Sequence, residues 1–153
     1  KKKMKTLIIR PGNIYGEFDK FDLQKSHVIP ALIKKFDDAK KKVEVWGDGS
    51  DIKNFIYIKD FISGCISASK SELDIVNLAS EKSYSLKKVI SIIDKIYKKK
   101  LIISYDQSKP TMIPKRNISI SLAKKKLHFK TKYSLENGLR NTIKWYQKNK
   151  KYL

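Results

Sequence analysis

Residues 10–32 read RPGNIYGEFDKFDLQKSHVIPAL, and the reading of this stretch decides the fold. It begins where a short apolar run ends: KTLIIR at 5–10, with Leu7, Ile8 and Ile9 continuous, suits a strand covered on both faces. Pro11, Gly12, Asn13, Tyr15 and Gly16 then read as a turn. Gly12 and Gly16 let the backbone bend and approach a ligand where a Cβ would collide. An irregular polar loop leads to His27 at the mouth of a helix predicted over 28–40, whose apolar stripe is Val28, Ile29, Leu32, Ile33 and Phe36. Pro30 falls in the first turn, where its missing N–H costs little. Open α/β sheets bind ligands in loops leaving the carboxyl ends of strands, so this stretch is the candidate site. His27 is one of two histidines, and imidazole is the side chain best suited to proton transfer near neutrality.

Outward from there, strands are predicted at 43–46 and 53–58, separated by a Gly-Asp-Gly turn at 47–49. In the second strand Phe55 and Tyr57 share one face, and Ile56 and Ile58 the other. Asp60 is read as starting a helix over 61–69, where a carboxylate suits the dipole. IVNL at 75–78 is a strand of buried type. Ser85 caps a helix over 86–98, with Leu86, Val89, Ile90 and Ile93 inward. A strand at 101–105 precedes a loop over 107–117 that carries Pro110 and Pro114. Ser121 is read as the cap of a short helix, and Ser134 as the cap of a last one over 135–148, with Leu139, Ile143 and Trp145 or Tyr146 inward. The end of the chain reads as frayed. Strands alternating with helices predict α/β.

The 153 residues fit one compact domain, and a hydrophobic share of 41% is enough for a core. Net charge is +20, but only Arg10, Arg116 and Arg140 are arginines. Arginine is favoured for forked contacts to bases and phosphates, so lysines spread over every helix argue against specific nucleic-acid binding. A basic nucleic-acid-binding module remains an alternative reading. Cys65, the one cysteine, forms no intramolecular disulfide, fits a reducing cytoplasm and reads as a small core residue. One cysteine and two distant histidines give no metal-ligand spacing, and no apolar run has membrane length.

Several blocks fall in the order seen in extended short-chain dehydrogenases: Pro11-Gly12-Asn13-Ile14-Tyr15-Gly16, Ser26-His27-Val28-Ile29-Pro30-Ala31-Leu32, Val45-Trp46-Gly47-Asp48-Gly49 and Lys53-Asn54-Phe55-Ile56-Tyr57-Ile58-Lys59-Asp60. The chain resembles the C-terminal half of this NAD-dependent epimerase/dehydratase family. The Ser-His-Val-Ile-Pro-Ala-Leu block makes it most similar to the GDP-L-fucose synthase type, GDP-4-keto-6-deoxy-mannose epimerase/reductases. The resemblance implies the last part of a Rossmann-type parallel sheet plus a small mixed α/β substrate-binding domain. Residues 1–16 would be the terminal Rossmann strand and cofactor-side loop, and 17–153 the C-terminal substrate domain with elements returning to the Rossmann half.

It also implies roles. His27 would be the proton donor during epimerisation beside a 4-keto group, and Cys65 is not the cysteine the family pairs with it. Pro11, Gly12, Asn13 and Ile14, with His27, would pass the nicotinamide side of NADP. Gly12 replaces a frequent Thr or Ser. Lys35, Trp46 and Lys53 would hold the nucleotide-sugar, both lysines standing where arginine is usual, and Lys115 and Arg116 would face its phosphates. Ser108-Lys109-Pro110 resembles the family's substrate loop, but Thr111-Met112 replace Asp-Gly. His128 stands where a glycine usually closes a short helix. The family's Gly-x-x-Gly-x-x-Gly turn and catalytic Tyr-x-x-x-Lys pair are expected upstream of Lys1, so this chain alone is expected to be inactive. Intact, it would be a cytoplasmic homodimer taking a nucleotide-sugar, GDP-linked first. The rival within the family is a related enzyme acting on another nucleotide-linked deoxy-sugar or a heptose.

Overall fold

The computed structural model describes residues 4–109 and 114–153, so the expected departures at Thr111 and Met112, and Pro110 itself, lie outside the described residues. The elements are β1 (Ile8–Pro11), β2 (Asn13–Tyr15), α1 (Val28–Asp38), β3 (Lys42–Trp46), β4 (Ile52–Tyr57), α2 (Ile58–Ser69), β5 (Ile75–Leu78), β6 (Ser83–Ser85), α3 (Leu86–Tyr97), β7 (Ile102–Asp106), β8 (Lys115–Arg116), α4 (Ser121–Leu127) and α5 (Leu135–Asn149). A 3₁₀ turn, Lys150–Tyr152, follows. It is tied down by Lys150, whose ammonium meets Asp37 at 2.8 Å, so the expected fraying is corrected there.

The turn expected after Arg10 is instead a change of strand partner. β1 runs parallel to β5, with Ile8 opposite Ile75 and Pro11 opposite Leu78. One residue later β2 runs parallel to β4, with Asn13 opposite Phe55 and Tyr15 opposite Tyr57. Gly12 sits at the changeover: its amide donates to the Leu78 carbonyl at 2.8 Å, and a Cβ there would meet the Ala79 Cβ at 3.0 Å. Neighbouring strands supply backbone partners on both sides of Gly12, so the segment stays extended rather than turning. β4 also pairs antiparallel with β6 and parallel with β8, and β3 pairs parallel with β7. The strands β2, β6 and β8 are too short and polar to show a period in sequence.

β4 divides two hydrophobic cores. Phe55 and Tyr57 join Ile33, Phe36, Val43, Ile90, Ile93, Leu139 and Ile143 in the larger, between α1, α3 and α5. Ile56 faces the smaller, with Val76, Leu78, Ala68 and Phe129. Ile58, read with Ile56 in sequence, opens α2 and packs on the larger core instead. Cys65 is half-buried beside the smaller core, where burial pushes its thiol up. The strand around Leu7–Ile9 is not covered on both faces: Ile8 is 58% exposed, since among the described elements β1 packs through one face only.

Helix starts follow the expected chemistry in two cases. The Ser85 hydroxyl accepts from the Lys88 amide, and the Ser134 hydroxyl from the Asn137 amide. Two expectations are corrected. α2 starts at Ile58 with Tyr57 as its cap residue, and Asp60 turns away to another segment. Ser121 is already helical, with Ile120 as the cap residue of α4. His128 closes α4 in the left-handed region at φ 51°, a place where glycine is usual.

Gly138 fixes how closely α5 approaches β2. A Cβ there would fall against the Tyr15 phenol, 2.9 Å from its Cζ, and Tyr15 is 2% exposed. Gly138→Ala is expected to cost about 1–3 kcal/mol through overpacking, despite alanine's better helix propensity. Urea denaturation measures it; an unchanged or raised midpoint would show that the tyrosine swings aside freely.

Candidate functional site

A cleft of about 660 Å³ opens along the β1–β2 junction. Residues 9–19 line it as one continuous segment, joined by His27, Ile58 and Arg116. The partner change at Gly12 creates it: two strands of one continuous segment belong to different ladders, and the chain between them lines a groove rather than a sheet interior.

His27 precedes the first turn of α1 as its cap residue, but its side chain makes no capping hydrogen bond. It is exposed and lines the cleft. Asn13 is fixed by its side-chain amide, which donates to the Asn54 carbonyl at 2.9 Å. Asn54, 3% exposed, is the hub beneath: its amide donates to the Ser80 carbonyl at 3.1 Å, and its side-chain oxygen accepts from the Ile118 amide at 2.9 Å. It thereby holds the segment leaving β8, which carries Arg116 into the cleft.

Pro11, Gly12, Asn13, Ile14, His27 and Arg116 thus meet in one cleft. Lys35, Trp46, Lys53 and Lys115 do not line it. Lys35 lies over the Trp46 ring, 5.6 Å from its centroid, and donates to the Glu44 carbonyl at 3.0 Å. Trp46 is 52% exposed, so it is not a core residue. Lys53 is mostly buried and pairs with Asp51 at 3.1 Å. It sits opposite Arg116 in the β4–β8 register, with Lys115 opposite Ile52.

Three pairs have Tyr-x-x-x-Lys spacing, Tyr84 and Lys88, Tyr105 and Lys109, and Tyr146 and Lys150, but none lines this cleft. Tyr57 donates to both oxygens of Glu17, at 2.6 and 2.8 Å. Burial, then the bond to Glu17, holds its phenol neutral well above the usual tyrosine range. Burial and the neighbouring Tyr57 do the same for Tyr15. Both rings are therefore structural posts at neutral pH. Glu17, Asp19 and Asn54 went unnoticed in the sequence. Asn54 had a legible signal, an amide directly before the apolar run Phe55-Ile56-Tyr57 of its strand, which when buried must find partners. Among the described residues no cluster of three or more His, Cys, Asp or Glu is placed to hold a metal ion, and no helix is long and apolar enough to cross a membrane.

A sequence profile described as the NAD dependent epimerase/dehydratase family matches residues 1–79, more than half of the chain. GDP-L-fucose synthase 1 of Arabidopsis thaliana is 32% identical over 145 residues, covering 91% of this chain and 45% of that protein. GDP-L-colitose synthase of Yersinia pseudotuberculosis is 33% identical, covering 92% and 47%. A dTDP-4-dehydro-6-deoxy-D-allose reductase from Streptomyces is 28% identical, covering 94% and 44%. The chain therefore spans about half the length of the curated relatives it matches. Among solved structures, UDP-glucose 4-epimerase from Thermotoga maritima superposes with a TM-score of 0.84 at 19% identity, covering 94% of this chain and 46% of that one, which speaks for the fold alone.

Proposed function

The chain belongs to the NAD dependent epimerase/dehydratase family, and from that premise we propose that it is the substrate-binding half of an NADP-dependent nucleotide-sugar epimerase/reductase. The reaction type we assign is conversion of GDP-4-keto-6-deoxy-mannose to GDP-L-fucose, with residues 1–16 on the cofactor side and 17–153 on the substrate side. The carrying observation is the cleft that gathers Pro11–Ile14, His27 and Arg116 from three separate parts of the chain. The relatives named for GDP-sugars support the base, and the Streptomyces reductase keeps a dTDP-linked deoxy-sugar as the second reading.

The lining fits the nicotinamide side of a dinucleotide, because Gly12–Ile14 are half-exposed and carry no charged side chain, and Arg116 adds positive charge for the phosphates of the nucleotide-sugar. When bound, NADPH supplies hydride to the sugar's C4 ketone. The chain's own contribution is proton transfer and grip. A C4 ketone acidifies the neighbouring C–H bonds, and the His27 imidazolium N–H delivers a proton to the enolate carbon on the opposite face. Lys35, Trp46 and Lys53 belong to the nucleotide end of the proposal, Trp46 as an exposed apolar plate with an N–H donor. Lysines neutralise a diphosphate as point charges without arginine's fork. In this reading the intact enzyme is a cytoplasmic homodimer, and the present chain binds without turnover.

Thermal denaturation with a panel of GDP-, UDP-, CDP- and dTDP-sugars tests this. A ligand at a hundred times its Kd stabilises by about 2.7 kcal/mol, so GDP-sugars are expected to raise the melting temperature by several degrees and the others less. Equal or absent shifts across the panel, or NADPH oxidation by this chain alone, would sink it.

A further inference from the structure

The wall of the cleft formed by residues 16–19 is held far more firmly than a surface loop requires. Gly16 is wedged against Ile58, with no room for a Cβ. Glu17 receives both hydrogen bonds from Tyr57, itself 2% exposed, with Lys59 at 3.7 Å. Tyr57 is in turn packed between Tyr15 and Tyr133, ring centroids at 5.7 and 4.7 Å. Phe18 adopts φ 64°, a left-handed conformation that a bulky side chain takes only under strain. The result of that strain is an aromatic ring 85% exposed beside the cleft, braced from behind by Trp145 at 4.8 Å. Asp19 follows and lines the same cleft, its Oδ1 accepting from the Lys20 amide at 2.8 Å.

In a chain of net charge +20, this wall places Glu17 and Asp19 within three residues of each other. Glu17 is taken up by Tyr57; Asp19 has acceptor capacity left, since a carboxylate offers about four lone-pair sites and one amide occupies one. Burial raises its carboxyl, while the Lys20 amide and the charge of His27 pull it back. An aromatic plate beside an acceptor-only carboxylate is the chemistry that grips a sugar: C–H faces pack on the ring and hydroxyls donate to the oxygens.

We propose that Phe18 and Asp19 form the sugar-reading wall of this cleft, Phe18 packing the apolar face of the hexose of a nucleotide-sugar and Asp19 accepting from its hydroxyls, with the Glu17–Tyr57 bond as the strut that holds them. The proposal rests on the nucleotide-sugar reading above and adds which residues distinguish the sugar from the bare nucleotide.

Calorimetric titration of this chain with GDP-mannose and, separately, with GDP tests it. The unaltered chain is expected to prefer GDP-mannose. Asp19→Asn and Phe18→Ala should each weaken GDP-mannose about tenfold and leave GDP unchanged, with Tyr57→Phe acting in the same direction but less. A purely structural role would lower affinity for both ligands together, or the melting temperature alone. If the variants keep the original ratio of the two affinities, the wall does not read the sugar, while the nucleotide-sugar reading stands. If GDP-mannose gives no saturable binding to the unaltered chain, the nucleotide-sugar reading fails, and this inference with it.

Discussion

Asp60→Ala is expected to lower the unfolding free energy by about 3–5 kcal/mol, measured by urea denaturation near neutral pH. Asp60 is 3% exposed, and its two carboxylate oxygens accept from the amides of Lys132 and Tyr133 at 2.9 and 3.1 Å. Truncation leaves two backbone N–H groups without partners, at about 1–3 kcal/mol each, and removes the tie between the first turn of α2 and the segment entering α5. That tie matters to the cleft because α5 carries Gly138, against which Tyr15 and therefore β2 are seated. Asp60→Asn keeps one acceptor and should lose roughly half as much. If Asp60→Ala proves nearly neutral, water replaces the carboxylate, and the segment before α5 is not held from α2.

Asn54→Ala should cost about 2–4 kcal/mol and also loosen the cleft. The lost side chain bridges Ser80 and Ile118 at 3.1 and 2.9 Å, so a half-buried carbonyl and a half-buried amide lose their partners at once. The second effect separates Asn54 from an ordinary core residue. Ile118 lies two residues beyond Arg116, so faster amide exchange is expected over 115–119 than over β3 and β7. Asn54→Asp keeps the acceptor for Ile118 and loses the donor to Ser80, which predicts an intermediate loss. Uniform exchange across the sheets in Asn54→Ala would remove Asn54 as the holder of Arg116.

Where helices and buried strands lie was legible because their signals are local. The stripe of α1 through Ile29, Leu32, Ile33 and Phe36 buries as its spacing requires. Ser85 and Ser134 cap because a hydroxyl before a helix has an amide within reach whatever surrounds it. Asp60 misled for the complementary reason: a carboxylate near a helix start suits that helix, yet two amides 72 and 73 residues away offered better partners. Ile8 was read from apolarity alone, which cannot tell a strand covered on both faces from one covered on one.

The sequence by itself settled that this chain is α/β, which segments form its long helices, and which blocks carry its resemblance to the epimerases, since periodicity, caps and motifs are properties of neighbouring residues. Tertiary structure alone decided that Pro11–Tyr15 changes strand partner at Gly12, that Arg116 joins His27 while Trp46 and Lys53 stay outside their cleft, and that Tyr57 braces Glu17 from 40 residues away. Those outcomes depend on which backbone and side-chain groups meet across the folded chain, and residue spacing holds no record of such meetings.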